Sequence, residues 1–130
     1  MQIPLAVEQA LLEAEAKALA TYSKAEGVSV VPVSSVRMIG GNVVLVNYFF
    51  GQTMRNIEEN PDVALTFWSG LAGYRIKAKA EYKTKGEVFD EVVGWIKDTQ
   101  PTRTVKGVLL LKPVALFDIS AGEGAGKKVE

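Results

Sequence analysis

Hydrophobic positions along this chain change their period several times, and each change marks an element. From Pro4 to about Lys17 the residues are mostly Ala, Leu and Glu, strong helix formers with a proline at a permitted first-turn position. Lys17 to Tyr22 continues that helix or begins a strand; periodicity does not separate the two over so short a stretch. Ser23 to Gly27 reads as a turn, Val28 to Ile39 as a Val-rich strand with Ser interleaved, Gly40-Gly41-Asn42 as a hairpin turn, and Val43 to Val46 as its return strand. Pro32 cannot donate to a ladder, so it belongs on an edge or at a bulge. Thr53 to Asn60 predicts a short helix with Thr53 as N-cap and Met54 and Ile57 on one face, ended by Asn60-Pro61. Asp62 to Trp68 is the next strand. Tyr74 to Lys83 then alternates strictly, with Tyr74, Ile76, Ala78, Ala80 and Tyr82 on one face. Phe89, Val92, Val93 and Ile96 recur at helical spacing between Glu87 and Asp98. After a loop at Pro101 to Thr104, the apolar run Val105 to Ile119 is interrupted at Lys112-Pro113, predicting two strand segments joined at a bulge, and Ala121 to Gly126 reads as a mobile or ligand-covering tail.

Strands dominate this succession, and six of them in one short chain would leave exposed edges unless the sheet curled on itself. The expected fold is therefore mainly β with short peripheral helices: a six-stranded antiparallel barrel, closed or nearly so, in a single domain spanning residues 1–130.

Composition removes classes of chemistry more than it adds them. With no Cys there is no disulfide framework, thiolate nucleophile or cysteine zinc site; with no His there is no histidine base, and most transition-metal sites are excluded. Fifteen basic residues balance fifteen acidic ones, so no bulk charge points to nucleic acid or to an anionic membrane, and a formally neutral chain tolerates self-association. The N-terminus lacks the basic and long apolar regions of a signal peptide, and no apolar run reaches the roughly 18 residues of a membrane span; a cytoplasmic protein is expected.

The chemistry concentrates at Asn47 to Pro61, where an apolar strand runs through Tyr48, Phe49 and Phe50 into Gly51 and a short helix. The first N–H groups of a helix lack intrahelical partners and carry partial positive charge, so this turn is a candidate anion seat with aromatic rings beside it. On pattern alone, Thr53 reads first as a helix cap, and the aromatics serve as well as core residues. Alternation turns at least one of the Phe rings inward, and the adjacent Ser34 and Ser35 point to opposite sides, so one of them must find a buried partner.

The order of these segments resembles the pyridoxamine-phosphate-oxidase-like, FMN-binding split-barrel family, most closely its small stand-alone members. The resemblance is carried by Val30-Val-Pro-Val-Ser-Ser-Val-Arg37, the glycine hairpin, Val43-Val-Leu-Val-Asn-Tyr-Phe-Phe-Gly-Gln-Thr53, Asn56-Ile-Glu-Glu-Asn-Pro61 and Val63-Ala-Leu-Thr-Phe-Trp68. It implies that the Leu19-Ala-Thr21 segment is the first barrel strand, that the protein is a homodimer, and that FMN lies in a groove at the dimer interface. By the same resemblance, Gln52 and Thr53 hold the FMN phosphate, Pro32, Val33, Ser34 and Ser35 lie alongside the flavin, and Asn47, Tyr48 and Phe49 border its ring or ribityl chain. Many relatives carry Lys immediately before this Thr; here Gln52 replaces a charge-assisted contact by a neutral one, and Arg55, Arg37 or Lys127 could supply the charge. Relatives that oxidise vitamin B6 phosphates have a longer C-terminal portion with Arg and His, so that activity is not expected. The resemblance implies an FMN-dependent oxidoreductase acting on a small molecule, with no obligatory catalytic side chain and no metal. The alternatives are a flavin-binding electron carrier or storage protein and a barrel using a related deazaflavin.

The remaining motifs have plainer readings. Arg75, Lys77 and Lys79 form a basic stripe that reads as a solvated strand face rather than a nucleic-acid site. Trp68 is core or a lid over the flavin. Asp90 and Glu91 are adjacent on a helix and do not face one another, and no helix follows the glycines at 122–126, so they are no nucleotide loop.

Overall fold

The computed structural model describes residues 1–129. Helix α1 (Leu5–Glu13) leads into strands β1 (Ala16–Ser23), β2 (Gly27–Pro32), β3 (Val36–Ile39) and β4 (Asn42–Asn47). Helix α2 (Gln52–Glu59), strands β5 (Asp62–Ser69) and β6 (Ala72–Lys83), helix α3 (Glu87–Thr99) and strands β7 (Gly107–Asp118) and β8 (Lys127–Val129) complete the chain. One antiparallel sheet runs in the order β2-β1-β5-β6-β7-β4-β3, with β8 added to β7.

Two features correct the six-stranded, nearly closed barrel. The described strands number eight, because the Val28–Ile39 run breaks at Val33–Ser35 into β2 and β3 and because residues 127–129 pair with β7. The sheet is also open: β2 and β3 are its two ends and are not paired with each other. The break has a local cause. Pro32 ends β2 without an N–H to donate, and the linker bonds to the neighbours it already has, Val33 N–H to Lys17 O at 3.0 Å and Val46 N–H to Ser35 O at 3.4 Å. Pro32 does lie on an edge strand, opposite Ala18.

Three boundaries also move. The first helix stops at Glu13 although Ala-rich sequence continues, because Ala16 to Ala20 pair with Trp68 to Ala64 and sheet pairing outweighs helix propensity. Strand β7 is continuous rather than two segments; its irregularity is a bulge at Val114, between the pairs Lys77–Ala115 and Ala78–Pro113. The glycine-rich segment is a hairpin, not a tail, closed by Gly126 N–H to Asp118 O at 2.7 Å and Lys127 N–H to Gly124 O at 3.0 Å.

Alternation along β4 and β7 divides the core in two. Val43, Leu45, Leu109 and Leu111 point into the curl of the sheet, where they meet Leu19, Leu65, Phe67 and Ile76 beneath Val7 and Leu11 of α1. Val44, Val46, Val108 and Leu110 point outward and are covered by Val92 and Ile96 of α3. Both faces of these central strands are therefore buried, whereas the outer face of β2 stays bare: Val28 and Val30 are 70% and 64% exposed.

Candidate functional site

The opening of the sheet leaves a cleft of about 370 Å³ between β2, the end of β4 and the start of α2. Its depth depends on how the chain leaves β4. Asn47 Oδ1 accepts the Phe50 N–H at 2.8 Å, bending the chain back within three residues, while Asn47 Nδ2 donates to the Tyr82 hydroxyl at 3.0 Å. Gly107, opposite Asn47 in the ladder, makes this possible, since a Cβ there would overlap the Tyr82 hydroxyl. The turn sends Phe49 outward, 89% exposed, and packs Phe50 against the core.

Helix α2 is anchored from beneath. Asn56 is fully buried; its Nδ2 donates to Thr21 Oγ1 at 3.0 Å and Gly27 O at 3.2 Å, and its Oδ1 accepts the Ser23 hydroxyl at 2.6 Å. Three bonds from one side chain fix the helix to β1 and to the turn after it. The helix begins earlier than its sequence suggests: Gly51, not Thr53, occupies the N-cap position, two residues upstream, and it brings no side-chain cap. Met54 and Arg55 donate the first helical bonds to Gly51 O at 3.1 and 3.4 Å, so the N–H groups of Gln52 and Thr53 precede the ladder. The Thr53 hydroxyl, in a residue 1% exposed at the wall of the cleft, has no hydrogen-bond partner among the described residues.

Seven of the nine residues expected at a ligand site line this cleft: Pro32, Val33, Ser34, Tyr48, Phe49, Gln52 and Thr53. The other two lie behind the wall. Ser35 is the inward serine of its pair, its Oγ 2.9 Å from the Tyr48 hydroxyl, and Asn47 is the buried pivot of the turn. Gln52 turns its amide away from the helix start, donating Nε2 to Glu26 O at 3.0 Å.

Of the three cations considered for the missing charge, Arg55 stands beside the seat, its Nη1 4.0 Å from where a Cβ on Gly51 would be. Its Nε donates to Glu26 Oε2 at 2.6 Å, and that carboxylate holds the guanidinium above its ordinary pKa. Arg37 stacks on Trp95, and Lys127 lies in the β7–β8 hairpin, opposite Asp118 in the backbone ladder and outside the cleft lining. Trp68 does not line the cleft; it borders a separate hollow with Gly73 and Ser120. In the basic stripe, Arg75 and Lys77 stack on Phe117 and Lys79 pairs with Asp62. Among the described residues no group of His, Cys, Asp or Glu is arranged to hold a metal, and no helix is long and apolar enough to cross a membrane.

Arg103 is the wall residue that sequence reasoning missed. It lies in the loop between α3 and β7, its guanidinium 4.6 Å from the Tyr48 ring centroid and its Nη1 donating to Ser34 Oγ at 3.2 Å. No local pattern marks a loop arginine, and the 69-residue separation from Ser34 leaves nothing for a motif to register.

An antiparallel sheet curled into a barrel but open between two successive strands, with a cleft at the opening, defines the split-barrel class. Residues 3–120 match the family model described as pyridoxamine 5'-phosphate oxidase, and the chain belongs to that family. MJ0282 of Methanocaldococcus jannaschii, an uncharacterised protein, is 30% identical over 122 residues, covering 91% of this chain and 82% of that one. The fold is shared with HupZ of Group A Streptococcus (TM-score 0.81, 24% identity, 96% of this chain and 100% of that one). It is shared also with an FMN-binding protein of Syntrophomonas wolfei (TM-score 0.74, 18% identity, 92% of each chain). HutZ, the haem storage protein of Vibrio cholerae, has a TM-score of 0.70 at 15% identity, with 90% of this chain and 94% of that one covered.

Proposed function

We propose that the cleft binds a phosphate-bearing flavin, FMN or a related deazaflavin, with the phosphate at Gly51–Thr53 and the ring system against Pro32–Ser34, Tyr48 and Phe49. The observation that carries this reading is the Thr53 hydroxyl. A buried hydroxyl without a partner costs about 1–3 kcal/mol, and an anion beside the open N–H groups of α2 removes that cost. The volume is that of a small-molecule site, and its walls are apolar with few polar groups, as such sites are. Two proteins of the same fold support the choice, the FMN-binding protein of Syntrophomonas wolfei and an F420 reductase. Haem fits less well, because this sequence has neither His nor Cys, two of the side chains that bind haem iron.

A bound flavin supplies electron and hydride transfer; the protein supplies placement and electrostatics. Thr53 and the α2 N–H groups hold the phosphate, Asn56 and Asn47 keep that seat in place, and Tyr48 and Phe49 exclude water from one side of the ring. The reading extends to an oxidoreductase acting on a small molecule in the cytoplasm. It extends also to a homodimer joined through the bare outer face of β2 and β1, where Tyr22, Val28 and Val30 are exposed beside Ala20 and Ala64. Strand β2 faces both ways, since Ser29 and Val31 line the cleft, so a second copy seated there adjoins the site.

Titration of the purified protein with FMN and with riboflavin tests the reading. FMN is expected to bind more tightly and to raise the melting temperature more at equal concentration. Binding of neither, or equal binding of both, contradicts a phosphate seat at Thr53.

A further inference from the structure

The geometry points to Arg103 as the residue that recognises the ring end of the bound flavin and sets its redox potential, an inference that rests on the flavin reading above. Arg103 is the one charged side chain among the cleft's lining residues, whose other members near it are Val33, Ser34, Tyr48 and Phe49. No carboxylate lies within 4.0 Å of it among the described residues, in contrast to Arg55, which Glu26 neutralises.

Its position is prepared before any ligand arrives. The Arg103 N–H donates to Gln100 O at 3.0 Å, and the Lys106 N–H donates to Asn47 O at 3.0 Å, so the loop is tied on both sides of the arginine. The guanidinium stacks on Tyr48 and spends one N–H on Ser34, leaving other donors of its planar fork for a ligand. Those contacts are to the strand end and linker, not to α2. The phosphate seat has its own donors, so this cation meets the flat, carbonyl-bearing part of the molecule. A fixed positive charge there favours the ring once it has gained electrons, which raises the midpoint potential.

The test compares wild type, Arg103→Gln and Arg103→Lys by calorimetric titration with FMN and riboflavin, and by the midpoint potential of the FMN-loaded protein. Arg103→Gln is expected to weaken both ligands by the same factor, about tenfold. Its potential is expected to fall by roughly 30 mV, the two-electron equivalent of a tenfold change in relative affinity; Arg103→Lys retains most of the potential. Loss of FMN affinity with riboflavin unchanged places Arg103 at the phosphate and overturns the assignment. Unchanged affinities overturn it, as does an equal loss with no shift in potential, which marks a purely steric role. If wild type binds neither ligand, the flavin reading itself fails, and this inference with it.

Discussion

Replacing Asn56 by Leu tests whether α2 is held by its buried polar anchor or merely by apolar contact. The substitution keeps the size of the side chain and removes three hydrogen bonds at 2.6 to 3.2 Å. Thr21, 3% exposed, is left with a hydroxyl that water cannot reach, and Ser23, 2% exposed, loses the acceptor for its hydroxyl while still accepting the Glu26 N–H at 3.1 Å; Gly27 is partly exposed and its carbonyl can be rehydrated. The two hydroxyls left short of a partner cost about 1–3 kcal/mol each, and the added apolar burial returns roughly 1 kcal/mol, so the net loss is about 1–5 kcal/mol. That is a large part of the stability of about 5–15 kcal/mol usual for a domain. Urea unfolding is the assay, with the midpoint falling at constant slope. A cycle with Thr21→Val sharpens it, since Val removes one of the stranded hydroxyls and Asn56→Leu should then cost less by about 1 kcal/mol. A loss below about 0.5 kcal/mol, or strict additivity in the cycle, refutes the anchor.

Four further outcomes follow from the same geometry. Thr53→Val removes the unpartnered hydroxyl, so the ligand-free protein should gain up to about 1 kcal/mol in urea unfolding while FMN affinity falls about tenfold; a loss of stability contradicts the account of Thr53. Gln52→Lys should tighten FMN binding and make it more sensitive to salt, and no change in a titration at two ionic strengths means Arg55 already serves. Val30→Glu places a charge on the bare face of β2; on the proposed homodimer, wild type should sediment as a dimer in analytical ultracentrifugation and the variant as a monomer, and a monomeric wild type refutes that interface. Asp118, held below its ordinary pKa chiefly by the Ser120 N–H and also by its side chain, contributes stability that is full above pH ~4 and lost as pH falls through its lower folded value. The difference in melting temperature between wild type and Asp118→Asn should therefore shrink between pH 6 and pH 2.5, roughly; a constant difference excludes the linkage.

Much of the fold was legible because period carries it. The strict alternation from Tyr74 to Tyr82 and the helical spacing from Phe89 to Ile96 correspond to β6 and α3 directly. What pattern could not supply was competition between partners. The Ala-rich stretch after Glu13 has helical propensity, and only pairing with β5 makes it a strand. The Val28–Ile39 run has uniform strand character, and its break at Val33–Ser35 depends on hydrogen bonds to Lys17 and Val46 that lie far along the chain. The site divides the same way. The anion seat at Gly51–Thr53 is legible locally because its signals are contiguous, whereas Arg103 enters through a loop 69 residues from Ser34, and Ser35 and Asn47 lie behind the cleft wall, a depth that neither alternation nor the order of a family's motifs specifies.

The open sheet explains why the site sits where it does. A closed barrel would pair the β2 edge and bury its inner residues; the break at Pro32 instead leaves Ser29 and Val31 facing a gap that no strand fills. The same break frees Ser34 to meet Arg103 and turns Ser35 inward to Tyr48. A proline without an N–H thus marks the end of β2, where the sheet opens beside the apolar wall and the polar contacts at its rim. A ligand with a flat ring and a terminal anion matches that combination, because the gap offers aromatic and aliphatic walls along its length and unpaired donors at the start of α2. On the flavin reading proposed above, the cleft contributes shape and fixed charge, and the ring contributes the electrons.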